Sequence, residues 1–121
     1  MKRLTNKEEE IMRILWKLEK AFVKEIIPHI QDKKLHYNTI STIVRHLEDK
    51  GFVSHQTYGN THQYYPVISK EKYRKHIMSL TSKRFFDNSY KSMVSFFAKE
   101  EKISAQELRE ILEIIEKEKK N

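Results

Sequence analysis

Asn38, Ser41, Thr42 and Arg45 recur at the spacing of one face of an α-helix. All four side chains hydrogen-bond and none is acidic. The Asn amide, with one donor and one acceptor, matches the major-groove edge of adenine, the two-pronged Arg donor matches that of guanine, and a threonine methyl suits the methyl of thymine. Ser41 and its neighbour Thr39 suit phosphate oxygens better. Behind them Ile40, Ile43, Val44 and Leu47 fall at i, i+3, i+4, i+7, one apolar stripe. The same helix thus has a side for a protein core and a side for a nucleic-acid groove. Its N-terminus offers free N–H groups to phosphates, and Gly51 is placed to end it. A solvated surface helix carries similar polar residues, so the helix alone fits either description. Its neighbours decide.

Other chemistries find less support. The six histidines (His29, His36, His46, His55, His62 and His76) make no HxH, HxxxH or HExxH pair. His55 and His62 could face each other across a hairpin, but two ligands fall short of a metal site. The absence of cysteine removes disulfides, thiolate metal sites and cysteine nucleophiles. There is no glycine-rich phosphate loop and no nucleophile–base pair. The expectation is a protein that is not an enzyme, with no catalytic residues, no metal and no cofactor.

The elements that must hold the polar helix are short and mostly helical. With 121 residues, the chain is one domain, or one with an appendage. Two glycines and two prolines leave helices largely unbroken, and a net charge of +7 suits a polyanion. The first ten residues lack the apolar core of a signal peptide, and no uncharged run approaches the roughly 20 residues of a membrane span. A soluble, cytoplasmic protein is expected. Thr5–Glu8 reads as a capping box for a first helix with Ile11, Ile14, Leu15 and Leu18 inward; Met12 and Trp16 flank that stripe. Phe22 to Ile30 reads as a second helix that either kinks or ends at Pro28. A polar loop, Gln31–Leu35, leads to the third. Three short helices with a two-faced third one make a helix-turn-helix.

After Gly51 the period changes from helical to alternating. Phe52–Tyr58 and Thr61–Tyr65, joined by Gly59-Asn60, read as a β-hairpin wing whose tip can reach the DNA backbone. Phe52, Val53, Tyr64 and Tyr65 are expected in the core. Ser69 is placed to cap a further helix. From residue 69 to 99 eight basic residues stand against two acidic ones, interleaved with Tyr73, Ile77, Leu80, Phe85, Phe86, Tyr90, Met93, Val94, Phe96 and Phe97. Thr81-Ser82 marks an expected break between two helices. Ser104–Glu107 is a second capping box, followed by the stripe Leu108, Ile111, Leu112 and Ile115, and the tail from residue 116 to 121 is expected to fray. These helices have no complete core of their own. A second copy of the chain is the simplest cover, and Ile77, Leu80, Phe85, Phe86, Tyr90, Met93, Val94, Phe97, Leu108, Ile111, Leu112 and Ile115 are the expected dimerisation residues. The expected architecture is mostly α with a small β-hairpin wing: a winged helix-turn-helix domain over residues 1–68 and a helical dimerisation region over 69–121.

Several segments together carry a family resemblance. LTNKEEEIMRILWK, VKEI, YNTISTIVRHLEDKGFV and the wing exit YYPVISKEKY resemble the penicillinase repressors of the BlaI/MecI/CopY type. The resemblance runs through residues 4 to 73 and more loosely through the C-terminal helices. It implies a homodimeric transcriptional repressor whose two winged helices read the halves of a palindromic operator. It places DNA contacts on Asn38, Thr39, Ser41, Thr42 and Arg45, and on the wing at His55, Gly59, Asn60, Thr61 and His62. It also implies control of β-lactam or other antibiotic resistance, relieved when a membrane sensor protease cleaves the C-terminal half. This sequence departs from the family twice. Phe96-Phe97 stands where the resistance repressors have the Asn-Phe bond that is cut, which puts the cleavage site in doubt. The cysteine pairs of the copper-responsive branch are missing, which excludes that mode of sensing. Two rival readings remain: a metal-responsive winged-helix regulator, and a winged helix used as a protein-interaction module.

Overall fold

The computed structural model describes residues 1–119. Within them the order is α1 (Asn6–Leu18), β1 (Ala21–Phe22), α2 (Val23–Ile26), a 3-10 turn (Ile27–His29), α3 (Tyr37–Asp49), β2 (Val53–Tyr58), β3 (Thr61–Pro66), α4 (Lys70–Phe85), α5 (Tyr90–Lys99) and α6 (Ala105–Lys119). The strands form one antiparallel sheet in the order β1-β3-β2. The fold is the mostly helical, winged one expected. The chain divides into two compact units, one ending at Ile77 and the other beginning at Met78.

The first unit closes around one core. Ile11, Met12 and Leu15 of α1 meet Ile26, Ile30, the α3 stripe Ile40, Val44 and Leu47, and Phe52, Val53 and Tyr64 of the wing. Helix α1 starts where its capping box dictates: Thr5 Oγ1 accepts from the Glu8 N–H at 3.2 Å, and the Glu8 carboxylate accepts from the Thr5 N–H at 2.9 Å. Glu8 is buried, and its second partner is Lys50 at 2.7 Å. Burial pushes the Glu8 carboxyl up, but the Lys50 hydrogen bond and charge and the Thr5 bonds outweigh it and hold it below its ordinary value. Trp16 is half-buried, and its indole N–H donates to the Ile68 carbonyl at 2.9 Å.

The start of α4 belongs to this unit, past the boundary drawn at residue 68 from sequence. Ser69 caps α4 by accepting from the Lys72 N–H. One turn on, Tyr73 is buried edge-on against Phe52. Its hydroxyl donates to Glu9 at 2.6 Å and accepts from the Leu4 N–H at 3.2 Å. Burial, then the Glu9 hydrogen bond, push that hydroxyl up to about 12.

Four expectations need correction. The second helix does not run from Phe22 to Ile30. Ala21 and Phe22 are extended and pair with Tyr64 and Gln63 of β3. Beyond them come one α-helical turn and the 3-10 turn; Pro28 lies near the start of the latter, where its missing N–H leaves no bond unmade, so the helix ends there. Tyr65 is not in the core: strand alternation turns Tyr64 inward and leaves Tyr65 exposed. Thr81-Ser82 is no break, because α4 is continuous to Phe85. The chain turns instead at Asp87 and Asn88, whose φ values of 50° and 64° suit these two residue types. The tail from residue 116 stays helical to Lys119; Lys120 and Asn121, also expected to fray, lie outside the described residues.

The second unit has well-made helix ends and little interior. Ser89 caps α5, and Ser104 and Glu107 form the second capping box at 2.9 and 3.0 Å. Met93 is the one buried large apolar residue of this unit among the described residues. Tyr90, Val94, Phe96, Ile111, Leu112, Ile114 and Ile115 are exposed, and Phe85 is 75% exposed. Phe86, Phe96 and Phe97 stack edge-on in sequence, with ring centroids 5.6 and 5.7 Å apart. Of the expected dimerisation residues, Ile77 lies at the end of the first unit and packs against its core.

Candidate nucleic-acid interface

Helix α3 divides as its sequence divides. Ile40, Val44 and Leu47 are buried; Asn38, Thr39 and Arg45 are exposed, with Ser41 and Thr42 half-buried between. The helix stops through a Gly51 at φ 83°, with the Gly51 N–H donating to the Glu48 carbonyl and the Phe52 N–H to the Leu47 carbonyl. A built Cβ on Gly51 would meet nothing within 4 Å, so the backbone angle, not space, calls for glycine. At the other end His36 occupies the N-cap position without a side-chain cap bond, and no acid lies in the first turn. That end keeps its N–H groups and partial positive charge for an incoming anion.

The exposed face of α3 is one wall of a groove. Tyr37, Asn38, Ser41, Thr42 and Arg45 line it from α3, Phe22, Val23 and Lys24 from the β1–α2 corner, and Asn60, Thr61, His62 and Tyr64 from the wing. Among the described residues no carboxylate lines it, while Lys24 and Arg45 supply positive charge. Within it Thr42 Oγ1 donates to the Asn38 carbonyl at 2.9 Å and accepts from the Arg45 guanidinium at 3.1 Å. Arg45 is thereby held along the helix surface with donors to spare, and the Thr42 hydroxyl is already committed. Burial raises the Tyr64 hydroxyl from its ordinary range; the Glu48 carboxylate adds to this and Arg45 opposes it.

The wing is a regular ladder from Val53↔Pro66 to Tyr58↔Thr61. Its turn uses Gly59 at φ 59°, and Thr61 Oγ1 donates to the Tyr58 carbonyl at 2.8 Å. The structure brings together seven of the ten residues expected to contact DNA: Asn38, Ser41, Thr42, Arg45, Asn60, Thr61 and His62. Thr39 is exposed beside the groove and Gly59 sits at the wing tip, neither of them lining it. His55 is half-buried, with Nδ1 2.6 Å from the Glu48 carboxylate. Sequence reasoning missed Phe22, Val23, Lys24 and Tyr37 here, and placed Tyr64 in the core alone. Tyr37 was within reach, since it precedes Ser41 by one helical turn; the other three depend on the short strand β1, which leaves no pattern to read.

Among the described residues no group of three or more His, Cys, Asp or Glu could hold a metal ion, and no helix is long and apolar enough to cross a membrane.

The chain is similar to known proteins. The family model described as "Penicillinase repressor" matches residues 4–117. The methicillin resistance regulatory protein MecI of Staphylococcus aureus (strain N315) is 31% identical, with 94% of each chain covered. The penicillinase repressor of Bacillus licheniformis is 26% identical over 96% of this chain and 91% of that one. A solution structure of the DNA-binding domain of the repressor BlaI superposes with a TM-score of 0.51 at 27% identity, covering 60% of this chain and 94% of that domain.

Proposed function

The chain belongs to the penicillinase repressor family, whose members are non-enzymatic DNA-binding regulators, and from that premise we propose that it binds a palindromic operator as a homodimer in the cytoplasm. The observation that carries the proposal is the groove in which the polar face of α3 and the wing tip come together without a free carboxylate. Asn38, Thr42 and Arg45 take base edges. Thr42 does so through its methyl, because its hydroxyl already bonds Asn38 and Arg45. Ser41, Thr39, the open N-terminus of α3, Lys24 and the wing residues Gly59–His62 hold phosphates and set the register.

The second unit supplies the pairing. Tyr90, Val94, Phe97, Ile111, Leu112 and Ile115, exposed in the single chain, are covered by the same residues of a second copy, together with Leu80, Phe85, Phe86 and Leu108, while Met93, already buried, supports that face from within. Two half-site contacts then act as one through effective concentration. Repression results from occupying the promoter. It is relieved when a membrane sensor protease cuts near Phe96-Phe97, two exposed side chains within α5. A protease reads extended backbone, so α5 must open locally at the cut. The regulated genes, in this reading, serve resistance to β-lactams or other antibiotics.

Selecting bound duplexes from a randomised pool tests the proposal. The wild-type protein should enrich one two-fold symmetric sequence, and its affinity should fall steeply with salt. Arg45→Ala should weaken that binding by about 1–3 kcal/mol and relax one base in each half. Enrichment of nothing, or an affinity indifferent to salt, would contradict it.

A further inference from the structure

The wing is held unevenly along its length. Strand β1 pairs with β3 only at Tyr64 and Gln63, midway along the hairpin. From Thr57 to His62 the hairpin has only its own cross-strand bonds. A two-stranded ribbon of that kind bends and twists easily. Yet His62, Asn60 and Thr61 line the groove, so the angle of the ribbon to α3 decides where they meet DNA.

On the ribbon face that carries the buried Val53 and Tyr64, one chain of contacts links α3 to the wing tip. Glu48, in the last turn of α3, stands 2.6 Å from His55 Nδ1. A carboxylate anion can only accept, so the contact is a hydrogen bond with the proton on His55 Nδ1 as donor. The His55 ring packs on His62, centroids 4.1 Å apart, and on Tyr64 at 5.5 Å. His62 Nδ1 in turn lies 3.3 Å from Thr57 Oγ1. On the opposite face Phe22 meets Tyr58 edge-on at 5.9 Å. The tip is thus propped from both sides, and from the α3 side a side-chain hydrogen bond at His55 does it.

We propose that Glu48 and His55 form a strut between the recognition helix and the wing, which sets the position of His62 and the hairpin tip on DNA. Both are positioning residues. His55 acts through His62 rather than by touching phosphate, and Glu48 is a carboxylate beside a DNA surface kept there for the bond it accepts. This rests on the operator reading above.

The sign of one substitution separates the strut from plain charge. The probe is the tightest duplex that the wild-type protein selects from a randomised pool. Removing a carboxylate near DNA would by itself tighten binding, but loss of the strut weakens it. Glu48→Ala and His55→Phe should each lose about tenfold in affinity, the worth of one good hydrogen bond. The double variant should lose no more than either single one. Glu48→Gln, which keeps an acceptor oxygen and the side-chain volume, should recover part of the loss. Backbone protection from hydroxyl radicals beneath the wing should vanish in Glu48→Ala while guanine protection in the major groove stays. Wild-type or tighter binding by Glu48→Ala, or parallel loss of both protections, would overturn the strut. If the wild-type protein selects no duplex, the operator reading fails first, and amide exchange in the free protein still judges the strut. Faster exchange across residues 54–65 in Glu48→Ala supports it, and unchanged exchange overturns it.

Discussion

The two units of this chain finish folding with opposite residues left over. In the winged-helix unit the large apolar side chains are mostly covered, and what faces out around α3 is a polar surface whose groups are partly paired with one another. In the helical unit the caps are complete and the charges solvated, but Met93 is nearly alone inside while Phe85, Leu112 and Ile114 face out. A leftover polar face recognises something polar and charged; a leftover apolar face must be covered. On the proposed reading, the first unit reads DNA and the second pairs the chains.

Matched truncations in the two units sharpen that contrast. Phe52 is fully buried and Phe85 is 75% exposed. Phe52→Ala should cost about 3–5 kcal/mol of stability. Phe85→Ala, in protein dilute enough to be monomeric, should stay within about 0.5 kcal/mol. Chemical denaturation of the two variants measures both, and similar costs would mean that the helical unit hides a core of its own. A charge on the apolar face is the next largest effect. Leu112→Glu should turn the dimer into a monomer by sedimentation and lower operator affinity by about a hundredfold, through lost effective concentration. A monomeric wild-type protein, or a variant that still pairs, would break the comparison.

The smallest effect tests the closed character of the first unit. Glu8 is held below its ordinary value of 4.5 by Lys50 and Thr5, against its own burial. A lowered folded-state value means that its stabilisation is fully present above the unfolded-state value and is lost as pH falls through the folded one. Glu8→Gln should cost about 1 kcal/mol at neutral pH. That difference from wild type should shrink at pH values below the ordinary carboxylate range. A gap that stays constant through acid would show that the Glu8 charge contributes nothing.

Much of this was legible in the sequence because the signals were local. The Thr5 and Ser104 capping boxes, the α3 stripe and the Gly59-Asn60 turn all lie within one or two turns of chain, and each formed as expected. The errors arose where distant partners decide. Ala21 and Phe22 become a strand only because β3 offers them an edge, and that pairing cuts the second helix short. Tyr65 looked like core by composition, but strand parity turned it outward. Thr81-Ser82 looked like a break by propensity, yet Ser82 is fully buried within a continuous helix. The approach of His55 to Glu48, seven residues back on another element, is likewise a contact that no local pattern announces.

Hydroxyl-radical footprinting of the wild-type protein on its selected duplex tests the central claim most directly. Two protected patches related by a two-fold axis, lying on one side of the duplex and an integral number of helical turns apart, are the predicted result. A single patch, or two patches in tandem without that axis, would contradict it.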